Sequence, residues 1–161
     1  MSQKGPQFQV TLSIKREDSN AMVFYKQDGQ RFDNDNTIKM KVQTPYKFFI
    51  SIRPPQKIKL ASAKGEELEM SSEEMSSDFS KYCYQWSSNN IPITKKNRRL
   101  SFNIILEISN LGVLELPLQL KFYGENDTTH SAWGKSLHHI EFDCVYKTGH
   151  SFVEIIKTMY R

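Results

Sequence analysis

Only two cysteines occur in the 161 residues, Cys83 and Cys144, 61 positions apart and with no second thiol at chelating spacing beside either. That excludes a disulfide scaffold and a cysteine-based zinc site, and both are read as reduced thiols. Seven glycines and six prolines are too few for a collagen-like or low-complexity chain. Four alanines are too few for an all-helical bundle. No run approaches the roughly 18 apolar residues of a membrane helix. Met1 to Val10 is polar and lacks an apolar secretory region, so the chain is expected in the cytoplasm. The Asn126-Asp127-Thr128 sequon is then expected to stay unmodified, and Ser2 rules out self-myristoylation. Phosphate-cradling glycine loops, nucleophile elbows, His-Glu-x-x-His and dinucleotide fingerprints are all missing, so we expect no enzyme, no cofactor and no metal.

Aromatic residues are plentiful instead: ten Phe, seven Tyr and two Trp, a balance that favours strands. Phe8, Val10, Leu12 and Ile14 alternate with polar residues at the period of a half-buried strand. Met22 to Gln27 and Gln30 to Phe32 flank Asp28-Gly29, a dipeptide suited to a two-residue hairpin turn. Further strands are expected at Ile38 to Val42, at Tyr46 to Ile52 and at Ile58 to Leu60, the second ended by Pro54-Pro55. Leu68 and Met70 fit a short edge strand. The spacing of Ser71 and Glu74 fits a capping box, which leaves Ser71 to Phe79 as a helical turn or a loop.

Tyr82, Tyr84 and Trp86 share one face of a strand, and Leu100 to Ile108 shows the cleanest alternation in the chain. It forms a long hairpin with Leu114 to Phe122, where Pro117 faces outward near an edge or bulge. Gly124 to Gly134 reads as a surface loop anchored by the Trp133 ring, and Ile140 to Tyr146 as another strand. At the C-terminus, Phe152 to Met159 fits helical and strand spacing alike. The expected fold is all-β: one domain over residues 1–161, an antiparallel sandwich or flattened barrel of about nine or ten strands with at most a short helix.

The net charge of +4 does not require a nucleic-acid partner, and the rings sit at inward positions away from the basic run, so none is expected. Acid clusters in Glu66, Glu67, Glu69, Glu73, Glu74 and Asp78, base in Lys95, Lys96, Arg98 and Arg99, and both runs read as connecting segments. His139, Glu141 and Asp143 share one strand face, which reads as solvated rather than as a metal or acid-base site. The bulky inward side chains leave two readings, a solid core or sheets that splay to admit an apolar ligand.

Val23-Phe24-Tyr25-Lys26-Gln27-Asp28-Gly29-Gln30-Arg31-Phe32, then Thr37-Ile38-Lys39 and Tyr46-Lys47, closely resemble the cannabinoid receptor-interacting protein family. Gln119 to Tyr123, His130, Trp133-Gly134 and Ile140 to Cys144 continue the resemblance in order, with Leu12-Ser13-Ile14 and Leu111-Gly112 beside them. Glu66 to Asp78 and Tyr146 to Arg161 depart from the family pattern. The resemblance implies a β-fold similar to lipid-cargo carriers and a non-catalytic regulatory role in G-protein signalling. The implied partners are the cytoplasmic tail of a cannabinoid-type receptor and the acylated end of a G-protein α subunit, met at the inner face of the plasma membrane.

On that reading an apolar lining would come from Phe48, Ile50, Tyr82, Tyr84, Trp86, Ile104, Leu118, Leu120 and Phe142. Arg31, Lys95, Lys96, Arg98, Arg99 and Lys121 would meet an acidic tail or lipid headgroups. Tyr25, Asp28, Gly29 and Phe32 are expected to hold the hairpin. The competing reading is a solid-core adaptor that binds tails at its surface or at a sheet edge.

Overall fold

A computed structural model describes residues 7–147 and 149–161. Thirteen strands are present among them: β1 (Gln7–Arg16), β2 (Phe24–Gln27), β3 (Asn36–Lys41), β4 (Pro45–Arg53), β5 (Ile58–Ala63), β6 (Glu66–Glu67), β7 (Glu69–Met75), β8 (Ser80–Ser87), β9 (Leu100–Ile108), β10 (Gly112–Tyr123), β11 (Lys135–Ser136), β12 (Ile140–Tyr146) and β13 (Val153–Tyr160). One sheet runs β13-β12-β1-β4-β8-β7 and the other β11-β2-β3-β10-β9-β5-β6. Both are open, so the fold is a sandwich and the barrel alternative falls away. The excess over the expected strand number includes β6 and β11, two residues each, too short to show a period.

Period-two alternation carries the core. Phe8, Val10, Leu12 and Ile14 from β1 and Phe102, Ile104, Leu106 and Ile108 from β9 belong to one buried cluster. Each such side chain contributes about 1.5–3 kcal/mol on burial. Aromatic rings join the sheets: the Phe102 centroid lies 6.0 Å from that of Phe48 and 4.9 Å from that of Trp86, edge to face. At Gly112 (φ +108) a Cβ would stand 2.4 Å from the Ser151 carbonyl oxygen, so only glycine lets the start of β10 lie against the residues before β13.

Several expectations are corrected. Asp28-Gly29 does not make a two-residue hairpin: Gln27 pairs with Asn36, and a 3-10 turn at Gly29–Arg31 lies in the long connection. The Asp28 carboxylate binds Thr37 and Arg99 instead. Ser71 to Phe79 is neither helix nor loop up to Met75, because β7 pairs antiparallel with β8, and the acidic run is therefore mostly strand. Leu60 is only half-buried, since a register shift between Ile58 and Leu60 turns Ala61 and Ala63 inward. The sandwich is not wholly antiparallel, as β3 and β10 run parallel. Trp133 anchors nothing: it is exposed, and the loop is held by Ser131 and by Lys39 Nζ donating to the His130 carbonyl at 3.0 Å. The ambiguous C-terminus is a strand because β12 supplies a partner for it. Pro117 faces outward where β10 pairs with β9 alone, since β3 joins it only from Leu120.

The Tyr82 hydroxyl donates to the Gln56 carbonyl at 3.0 Å and accepts from the Ile58 amide at 3.2 Å, fixing the start of β5 across the sandwich. Tyr82→Phe leaves the Ile58 amide unpaired, while the Gln56 carbonyl keeps the Ser80 hydroxyl as donor at 2.7 Å, and should cost about 1–3 kcal/mol. Urea unfolding followed by tryptophan fluorescence measures it.

Candidate functional site

All nine residues expected to line the interior belong to its core or pack against it. Phe48 and Ile50 come from β4, Tyr82, Tyr84 and Trp86 from β8, Ile104 from β9, Leu118 and Leu120 from β10, and Phe142 from β12. Eight are 0–3% exposed and Trp86 is half-buried. They form more than one grouping. Trp86 and Phe48 stack at 6.0 Å beside Phe102 and Phe122, whereas Tyr82 and Tyr84 stack at 6.3 Å toward the β7 side.

Tyr84 also lines a groove of about 430 Å³ along the seam where the two sheets part. Ile58, Lys59, Leu60 and Ala61 of β5 and Glu67 of β6 form one wall, Glu69, Met70 and Tyr84 the other, and Leu68 bridges them. Met70 is the registered partner of Tyr84, so it lies on the inward face of its sheet, yet it is 47% exposed. An apolar side chain turned inward and left wet marks a place where the sheets do not cover each other. Both walls carry register shifts, in β5 and in β7, and such bulges recur at sheet edges and beside sites. Burial, with Tyr82 nearby, pushes the Tyr84 phenol well above its usual range, so it stays neutral here. Leu60, Leu68 and Met70 were missing from the expected lining because alternation identifies an inward face but not which part of it is covered.

The expected docking residues divide. Arg99, Lys96 and Lys121 line a second groove, of about 680 Å³, on the outer face of β2, β3 and β10. Arg31 stands nearby, its guanidinium 5.2 Å and that of Arg99 4.3 Å from the same Phe32 ring. Lys95 and Arg98 are exposed in the connection and do not line it. Lys26, Lys39, Tyr123, His130 and Trp133 line it as well, with Thr37, Thr94 and Gly134, and none of them is among the residues expected to dock.

Beneath this groove the Asp28 side chain is 1% exposed and meets Arg99 Nε at 3.3 Å, Lys26 Nζ at 3.8 Å and the Thr37 hydroxyl. Burial alone would raise its pKa, but the Thr37 and Arg99 hydrogen bonds and the two cations together hold it below the usual carboxylate value. Burial first, then neighbouring cations, lowers Lys39 and Lys121. At the rim Asp127 Oδ2 lies 3.7 Å from His130 Nδ1. Elsewhere, His139 Nε2 pairs with Glu141 Oε1 at 3.0 Å while Asp143 accepts from Gln9, and among the described residues no group of three or more His, Cys, Asp or Glu stands where it would hold a metal ion.

Residues 4–160 match the model of the family described as CB1 cannabinoid receptor-interacting protein 1. Over 138 residues the chain is 29% identical to the CB1 cannabinoid receptor-interacting protein 1 of Homo sapiens and to that of Bos taurus, and 27% identical to that of Mus musculus. Each alignment covers 84% of this chain and 84% of the relative.

Proposed function

Because the chain belongs to the CB1 cannabinoid receptor-interacting protein 1 family, we propose that it is a non-catalytic regulatory binding protein of G-protein-coupled receptor signalling. Its partners are the cytoplasmic tail of a cannabinoid-type receptor and the acylated N-terminus of a G-protein α subunit, so it works in the cytoplasm at the inner face of the plasma membrane. The single observation that carries this reading is the seam: a groove walled by both sheets, in which the inward-facing Met70 is left half wet beside Tyr84.

An acyl chain gains about 0.8 kcal/mol for each methylene it buries there, so eight methylenes contribute about 6 kcal/mol. The polypeptide next to it finds polar partners at the mouth, where Lys59, Glu67 and Glu69 stand. β7 ends its sheet, so its outer edge offers backbone donors and acceptors to an extended segment. That edge also favours the second reading, in which a tail adds as a strand without any lipid.

Calorimetric titration of one G-protein α N-terminal peptide, with and without its myristoyl group, separates the two. The acylated peptide should bind at least about tenfold more tightly, and Met70→Glu should remove most of that advantage, because it places a charge where methylenes are to be buried. Equal affinities would leave only the edge mode. Failure of both peptides and of a receptor-tail peptide to bind would defeat the proposal.

A further inference from the structure

We propose that the groove on the outer face of β2, β3 and β10 is a membrane-docking site that seats the polyphosphorylated headgroup of a phosphoinositide, with Trp133 and Ile93 entering the bilayer interface on either side. It stands apart from the seam and does not depend on cargo binding there.

The first observation is a like-charge contact built into the sheet. In the parallel pairing of β3 and β10, Lys39 and Lys121 are registered partners. Like charges directly opposite each other on a sheet are destabilising, so their retention calls for an anion. Their ammonium groups lie 5.8 and 5.2 Å from the centroid of one ring, Tyr123. Asp28 does not neutralise them, since it is engaged by Arg99, Thr37 and Lys26. Among the described residues neither Lys39 nor Lys121 has a carboxylate within ion-pair distance. Lys26, Lys39, Lys96, Arg99 and Lys121 thus surround the groove with five cations over the carboxylate of Asp28, an excess comparable with the +4 of the whole chain. A ligand bearing several phosphates supplies the missing charge, and about 680 Å³ is within the range of small-ligand sites.

The second observation selects a bilayer as its source. Ile93 at 60% and Trp133 at 59% are the two most exposed large apolar side chains among the described residues; Trp133 lines this groove, and Ile93 directly precedes Thr94, which lines it too. Trp133 lies on the β2 side, its ring 4.6 Å from that of His130. The next residue, Gly134 (φ +117), holds the loop so close that a Cβ would stand 2.6 Å from the Tyr25 carbonyl oxygen. Ile93 lies on the far side of β10, where the adjacent Thr94 amide donates to the Phe122 carbonyl at 3.0 Å. Tryptophan with one apolar flank at each side of a cationic recess suits the headgroup level of a membrane.

The test is co-sedimentation of the full chain with phosphatidylcholine vesicles that carry either a bisphosphorylated phosphoinositide or phosphatidylserine at matched total charge. Binding should favour the phosphoinositide, and Lys121→Gln should weaken it about fivefold, as expected for one cation near an anionic surface. Lys39→Met with Lys121→Gln should weaken it further, with thermal unfolding confirming that the double variant folds. Ile93→Ser, outside the groove lining, should weaken vesicle binding while leaving affinity for soluble inositol trisphosphate unchanged, which distinguishes a lipid from a free phosphate compound. Equal binding to both vesicle types, indifference to Lys121→Gln, or tighter binding of a phosphorylated peptide than of the vesicles would overturn the proposal.

Discussion

Phe102→Ala should lower the unfolding free energy by about 3–5 kcal/mol, the range for truncating a fully buried phenylalanine. Phe102 projects from the middle of the two-sheet interface and is the ring against which Phe48 and Trp86 of the opposite sheet both pack. Deleting it removes apolar burial and opens a void that rings held by separate sheets are poorly placed to refill. At this chain length each kcal/mol moves the midpoint by about 2–4 °C, so thermal unfolding should shift by roughly 6–20 °C. The control is Ile105→Ala on the same strand, whose side chain faces outward and is 38% exposed; it should stay within about 0.5 kcal/mol. If the two variants cost the same, the inward and outward assignment of β9 is wrong.

Asp28→Ala should be of similar size, about 3–5 kcal/mol, but for an electrostatic reason. The carboxylate is buried under Arg99, whose own side chain is only 7% exposed, and removal strands a guanidinium among four lysines with no other carboxylate within ion-pair distance of it among the described residues. The pair itself is not the source of that figure, because desolvating two charges nearly cancels their attraction. Asp28→Leu combined with Arg99→Met should therefore recover much of the loss, and urea midpoints of the single and double variants test this. Acid unfolding adds a signature. The folded pKa of Asp28 lies below its unfolded value of about 3.9, so its contribution is whole above that pH and fades as pH falls through the lower folded value. Asp28→Ala should flatten that part of the stability profile and leave its neutral part merely lower. An unchanged acid limb would show that Asp28 titrates alike in both states.

Much of the sandwich was legible because burial imposes a period. Leu12 and Ile14, Phe48 and Ile50, and Leu116 and Leu118 alternate, and each is buried. The candidate sites were less legible. Lys39 sits in a run of four consecutive buried positions in β3, which alternation assigns to one face only. Its burial comes from a loop more than ninety residues away whose His130 carbonyl it holds. The Asp28-Gly29 turn departs from expectation for a related reason: Gly29 takes a positive φ of +65, but Asp28, held by Thr37 and Arg99, stays right-handed at φ -92, so the two positive angles of a two-residue hairpin turn are not both present.

The amino-acid order by itself determined that the chain makes strands, which of their faces turn inward, and that positive charge is available near Arg99 and Lys121. Tertiary structure alone decided that β3 runs parallel to β10, and with it that Lys39 meets Lys121 and that the C-terminal segment joins β12 as a strand. The reason is one of range. Side-chain period follows from steric rules between adjacent residues, whereas strand partnership is a contest among segments distant in the chain, settled by the total area each arrangement covers.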